Sequence, residues 1–259
     1  MDYVLLIFSF LFGAVVGSFL NVCIYRIPLG ISIAYPPSRC PGCGASIPFY
    51  LNIPVIGYLV IRGRCASCGV SISPLYPAVE ALTGLFAVAL FLRFGVSAEL
   101  FAYFAFISAL IVISFIDLEH QIIPDVISLP FIPLGFAASF FLASPGVAGS
   151  ALGVLLGGGV LLAIAAGYHL VTGSEGMGGG DIKLLAMIGA FTGWRGVIIT
   201  LLLGSFIGAL IGLAVIAAKG KGSRYKIPFG PFLAGGAAVH IFYGEALLDW
   251  YLKTFISVP

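Results

Sequence analysis

Gly176-Met177-Gly178-Gly179-Gly180-Asp181-Ile182-Lys183 places one carboxylate between a glycine run and an apolar segment, Leu184 to Phe191. In most chains an acid after glycines needs no comment. Here 61% of residues are hydrophobic, 8% are charged and the mean hydropathy is +1.17, whereas soluble domains carry about 25% charged residues. Apolar runs of spanning length recur along the chain, which implies an all-α, polytopic membrane bundle. An acid at the end of a membrane segment is costly and marks function by default. A second such acid, Asp117, closes the apolar run 107–116.

Working outward from Asp181, eight spans are expected, at about 3–24, 77–94, 99–116, 126–143, 150–171, 182–194, 196–218 and 229–248. The sixth is short for ~30 Å of hydrocarbon and must tilt, thin the bilayer or continue through Trp194. The first is not a signal peptide, because no basic residue precedes it and no small-residue cleavage site follows. Arg26 directly follows it, so the amino terminus is expected outside. With eight spans, nine of the twelve Lys and Arg residues fall inside, leaving Arg93, Arg195 and Lys253 outside. The positive-inside rule and the span count therefore agree. The expected domains are 1–25, the first transmembrane helix; 26–76, a cytoplasmic loop domain; and 77–259, the catalytic bundle. Gly13, Gly17, Gly204, Gly208 and Gly212 have the spacing that lets helices approach closely. No long basic stripe with interleaved aromatics is present, so nucleic acid is not an expected partner. The lipid bilayer is.

On this parity Asp117 ends a span coming in and Asp181 begins one going out, so both lie at the cytoplasmic end. Two carboxyls sharing one site do not both ionise easily: one keeps a proton while the other acts as base. That pair can activate water against an amide and protonate the leaving nitrogen. Taken singly, Asp181 could instead cap its helix and Asp117 could mark the membrane boundary. A third reading makes the two acids the cation or proton site of a transporter. Asp125, after Pro124, reads as a helix cap, and Glu119 and His120 as solvated loop residues. Lys183 either neutralises a nearby acid or snorkels to the interface. His169 and His240 read as packing residues.

The loop 26–76 is rich in proline, has four cysteines and four arginines, and contains no acid. Cys40-Pro-Gly-Cys43 and Cys65-Ala-Ser-Cys68 are two Cys-x-x-Cys pairs that together supply four thiolates for a tetrahedral Zn(II) site. A reducing cytoplasm disfavours disulfides, leaving metal binding against free or redox thiols. Four protein ligands leave no open position, so the zinc is expected to be structural. Arg39, Arg62 and Arg64 would offset the thiolate charge. Cys23, inside the first span, reads as a buried thiol. Glu80 either contacts substrate or pairs with an arginine.

Gly176-Met-Gly-Gly-Gly-Asp-Ile-Lys-Leu184 resembles the Gly-x-Gly-Asp signature of the prepilin peptidases, or type IV leader peptidases. Asp117-Leu-Glu-His-Gln-Ile-Ile-Pro-Asp125 is similar to the family's other aspartate motif. Gly17-Ser-Phe-Leu-Asn-Val22, Tyr25-Arg26-Ile-Pro28 and Pro228-Phe-Gly-Pro-Phe-Leu-Ala234 extend the resemblance over nearly the whole chain. The resemblance implies that Asp117 and Asp181 are the catalytic pair of a membrane aspartic endopeptidase. It implies prepilin or pseudopilin substrates, cut after glycine at the cytoplasmic face of the bacterial inner membrane. The cysteine-bearing loop is similar to that of the bifunctional members, which also N-methylate the new terminus using S-adenosyl-L-methionine. No strand–glycine-loop–helix unit marks a nucleotide site in the sequence.

Overall fold

The computed structural model describes residues 3–35, 37–40, 42–174, 178–219, 227–251 and 253–254. Gly176 and Met177 lie outside them, as do Lys221, Arg224 and Lys226, three of the nine basic residues expected inside. Among the described residues the fold is all-helical apart from two isolated bridges. Six helices are long and apolar enough to cross a membrane. The chain divides into two compact units, Met1–Ile116 and Asp117–Pro259.

In the first unit, α1 (Tyr3–Arg26) packs against α3 (Leu75–Phe94). Their backbones meet at the expected glycines: a Cβ on Gly13 would lie 2.7 Å from Ala87 Cβ, and one on Gly17 would lie 2.7 Å from Glu80 Cα. Between them runs the loop, with a 3-10 turn at Phe49–Asn52 and the short helix α2 (Ile56–Val60). The two cysteine pairs have the same fold because they share a sequence, Arg-Cys-x-x-Cys-Gly-x-Ser-Ile, at 39–47 and again at 64–72. In each, the first cysteine donates its N–H across the turn, Cys40 to Ala45 O (2.9 Å) and Cys65 to Val70 O (2.8 Å). Each also places a glycine at positive φ, Gly44 at 72° and Gly69 at 73°, a conformation that glycine adopts without steric cost. Arg39 bridges to Ser46 as Arg64 does to Ser71.

Helix α4 (Ala98–His120) carries the chain from the first unit into the second and is the most buried of these six helices. The second unit holds α5 (Asp125–Ala138), α6 (Gly146–Thr172), α7 (Gly179–Lys219) and α8 (Gly230–Tyr251). Helices α6 and α7 approach to backbone contact at Gly153 and Gly189, each of whose missing Cβ would strike the other's carbonyl. Ser150 Oγ donates to Ala190 O across this interface at 2.7 Å. Gly204 and Gly208 accommodate Phe232 of α8, as their spacing implied.

Two expected spans differ in form. The fourth is a 14-residue helix ending at Ala138, not near 143, with Pro130 and Pro133 inside it; each proline removes a helical N–H and clashes with the preceding turn. The sixth and seventh join as α7, 41 residues in all, whose helical path is broken by Gly193 at φ 70°, ψ −176°. A straight helix of that length would run about 60 Å, twice the ~30 Å hydrocarbon core. The break lies at Gly193 because glycine alone tolerates that backbone geometry. Pro145 packs against the same spot, 2.6 Å from where a Cβ would sit.

Gly193→Ala should therefore destabilise the protein by about 1–3 kcal/mol. Gly167→Ala, in a helix interior with nothing within 4 Å, should be neutral or slightly stabilising. Thermal unfolding of the two purified variants in the same detergent compares them directly.

Candidate active site and metal centre

Asp117 sits in the last turn of α4 and is 5% exposed. A buried carboxylate needs hydrogen bonds, and this one accepts the N–H of Gly230 on Oδ2 at 2.9 Å. Gly230 is the first residue of α8, so an orphan N–H and the positive end of a helix dipole meet the acid. The contact demands glycine: a Cβ on Gly230 would lie 2.7 Å from Asp117 Oδ2. Nothing in the sequence pairs positions 117 and 230, although Pro228–Ala234 belongs to a motif.

Asp181 is in the first turn of α7, half-buried, with its N–H donated to Gly178 O at 3.3 Å. Asp117 and Asp181 both belong to the second unit, one at the end of α4 and the other at the start of α7. Gly180 lets this turn sit against the segment after α4, since a Cβ there would be 2.9 Å from Ile123 Cβ. A second tie fixes the same approach. Lys183 Nζ donates to both oxygens of Asp125, at 2.8 and 2.7 Å. The start of α5 is thus bound to the start of α7, two residues past Asp181. Lys183 therefore neutralises Asp125, one of its two expected roles, and Asp125 opens α5 without forming a side-chain cap. Because both partners are partly exposed, the pair contributes ~0–1 kcal/mol and acts mainly by register. Glu119 and His120 are exposed. His240 packs against Gly196 and Gly244.

In the first unit, the four thiols of Cys40, Cys43, Cys65 and Cys68 lie within 4.8 Å of one another. Cys40 Sγ is 3.8 Å from Cys68 Sγ, and Cys43 Sγ is 4.0 Å from Cys65 Sγ. These are far beyond a disulfide bond. They match the edge of a sulfur tetrahedron, about 3.8 Å for metal–sulfur bonds of about 2.3 Å. The thiols also differ in acidity. Backbone N–H groups of Cys68 and then Ser67 bring Cys65 down to about 6. Cys68, although the Val70 N–H favours its thiolate, is pushed up to about 12, chiefly by the Cys43 sulfur. One thiolate forms readily and the last resists, which is the charge crowding a bound dication relieves. The donor set fits a metal.

An all-helical chain with six helices long and apolar enough to cross a membrane, one acid at the end of a helix, another at the start of a second, and a tetracysteine loop defines the class: a polytopic membrane protein. Residues 104–213 match the type IV leader peptidase family and residues 11–94 match the bacterial peptidase A24 N-terminal domain. Curated relatives named prepilin leader peptidase/N-methyltransferase include one from Pseudomonas aeruginosa, 35% identical over 95% of this chain and 92% of its own. One from Stutzerimonas stutzeri is 36% identical over 93% and 91%. One from Bacillus subtilis is 38% identical over 94% and 96%. No solved structure matches the chain. The chain belongs to the type IV leader peptidase family. These relatives are peptidases, and the transporter reading has no support among them.

Gly230→Ala should crowd the Asp117 carboxylate and cost about 1–3 kcal/mol, as overpacking does. Gly235→Ala in the same helix, with nothing within 4 Å, should leave thermal stability unchanged or slightly raised. Differential scanning of the two variants in detergent checks the contrast.

Proposed function

We propose that this chain is a membrane aspartic endopeptidase that removes the short basic leader from type IV prepilins or pseudopilins, cutting after glycine, and that it also N-methylates the new amino terminus. The observation that carries the reading is the acid pair. Asp117 is buried and held by the Gly230 N–H, and Asp181 stands in the first turn of α7, in a chain with only ten acids. The family and the names of the relatives supply the reaction class.

In the proposed mechanism the substrate's apolar helix lies in the bilayer beside the second unit, with its scissile bond at the cytoplasmic interface. One aspartate, as carboxylate, takes a proton from water as the oxygen attacks the amide carbon. Its protonated partner donates a hydrogen bond to the carbonyl oxygen, and a proton then passes to the departing amine. The products are a leader ending in a carboxylate and a mature chain with a free amino terminus. No covalent enzyme intermediate is required. The Gly230 N–H holds the Asp117 oxygen in place, and the Lys183–Asp125 pair holds the α7 turn that carries Asp181. The active site faces the cytoplasm of a bacterial inner membrane, with both termini outside.

Cys40, Cys43, Cys65 and Cys68 hold one Zn(II), which ties the two knuckles together and takes no part in either reaction. S-adenosyl-L-methionine, when bound, supplies the activated methyl group.

Asp117→Asn and Asp181→Asn should each reduce prepilin leader cleavage by at least about 100-fold while still inserting in membranes. Gel shift and mass spectrometry of the processed pilin read the result, and cleavage retained by both variants overturns the proposal. Cys43→Ser should bring bound zinc from one per chain towards none by elemental analysis. It should also open the loop 26–76 to limited proteolysis, whereas Asp117→Asn should do neither.

A further inference from the structure

The loop 26–76 joins two spanning helices without crossing the membrane itself, yet it turns bulky apolar side chains outward. Leu59 and Val60 are 65% and 68% exposed, and Ile53 and Ile56 are exposed beside them. Helix α2 (Ile56–Val60) is turned inside out for a segment in water. Ile56, Leu59 and Val60 share one face, being three and four residues apart, and that face points away from the fold. The other side does the packing: Gly57 is buried against the Leu51 carbonyl, and Tyr58 donates its hydroxyl to Ile72 O at 3.4 Å. A second stretch, just after α1, exposes Leu29, Ile31, Ile33 and Tyr35. Ile31 and Ile53 border the same cavity, which brings the two stretches together. Apolar surface gathered in this way marks an interaction site.

The charge around these stretches has one sign. The loop holds four arginines and no lysine or acid. Arg39, Arg62 and Arg64 are exposed, and Arg62 and Arg64 directly follow the α2 face. Among the described residues, Lys183–Asp125 is the only pair at salt-bridge distance, so these three cations face no acid of the chain. The arginine pairing expected for Glu80 is likewise not met.

Glu80 instead sets the depth of α2. Its Oε2 accepts the N–H of Val55, the residue before α2, at 2.7 Å. Glu80 lies five residues past Leu75, the first residue of α3, which is roughly 7 Å along the helix. The turn before α2 is thereby drawn down beside a membrane-spanning helix instead of standing off its end. Val55 adopts φ 62°, ψ −52° there, a strained conformation for a β-branched residue. Such strain persists where surrounding contacts over-determine it. Asn21 Nδ2 donates to Tyr76 O at 3.0 Å, fastening the start of α3 to the last turns of α1.

We propose that the loop of the first unit rests on the bilayer, with Ile56, Leu59 and Val60 set into the top of the acyl layer and Arg39, Arg62 and Arg64 against anionic phospholipid headgroups. A short apolar face flanked by cations binds an interface by buried area and by attraction to negative lipid. Lipid is the occupant because the loop is tethered to spanning helices at both ends, and the Val55–Glu80 bond holds the face at the depth where headgroups lie. The proposal is independent of the reaction the chain performs.

The test uses the full chain in nanodiscs of phosphatidylcholine, with or without phosphatidylglycerol. Leu59→Trp is the reporter, in a chain whose native indoles are removed by Trp194→Phe and Trp250→Phe. Lipids brominated high on the acyl chain should quench the introduced indole at least about twofold, as expected for a side chain ~5–10 Å into the headgroup–acyl boundary. Quenching should be stronger with phosphatidylglycerol, and Arg62→Gln with Arg64→Gln should remove that increment. In the wild-type chain, which excludes any effect of the reporter on folding, a diazirine-tagged phosphatidylglycerol should cross-link to peptides within 29–35 and 53–64. Water-like, unquenched emission together with no cross-link in those segments would overturn the proposal. So would blue-shifted emission that brominated lipid leaves unquenched, since protein, from a second copy or from the rest of the chain, would then cover the face. Equal quenching in both lipids, unmoved by the arginine substitutions, would also contradict it.

Discussion

A carboxylate withdrawn from water must be compensated, and in this chain the compensation for Asp117 comes from the first N–H of α8. One hydrogen bond of 2.9 Å joins residues 113 positions apart in sequence. It does more than satisfy an acid. It fixes where α8 begins relative to the end of α4, and it requires the residue there to lack a side chain. From this contact the second unit can be read outward. The Asp117 end of α4 leads into α5, whose first residue binds Lys183, and Lys183 lies half a turn past Asp181. Two polar ties thus fix the helix ends that carry the two acids, in a bundle that otherwise packs through glycine and apolar surface.

The two units solve different problems with little shared material. The second is built from close helix contacts at Gly153, Gly189, Gly204 and Gly208, where backbone approaches backbone or ring. Lipid offers no hydrophobic reward for helix association, so such close packing carries much of the stability. The loop of the first unit lies between two helices and has little core of its own. Its order comes from the two cysteine knuckles, the Val55 turn fastened to Glu80, and the tight seam of α1 on α3. A metal at four thiols would supply what a small apolar core cannot.

Much of this was legible in the sequence because the signals are local. The all-helical membrane character, the glycine seam at Gly13 and Gly17, the grouping of four cysteines and the unusual acids at 117 and 181 all follow from composition and spacing, although eight spans were expected and six helices are long and apolar enough to cross. The break at Gly193 was placed slightly late, because an apolar run shows its length but not which glycine takes the broken geometry. The fourth span was drawn too long, since hydropathy continues past Ala138 although the helix does not. The partnerships were not legible. Gly230 with Asp117, Lys183 with Asp125 and Glu80 with Val55 join residues 113, 58 and 25 positions apart, and no periodicity records them. The Arg-Cys-x-x-Cys-Gly-x-Ser-Ile repeat lay in plain view, and its meaning emerged only once both copies showed the same turn.

The central claim is that two side-chain acids share one proton well enough to hydrolyse an amide. The most direct test is the pH dependence of kcat/KM for leader cleavage by the purified wild-type protein with a synthetic prepilin. A pair that works as acid and base together should give a bell-shaped profile with one ionisation limiting each side. A rate that depends on a single ionisation, or stays flat across the acid range, would contradict it.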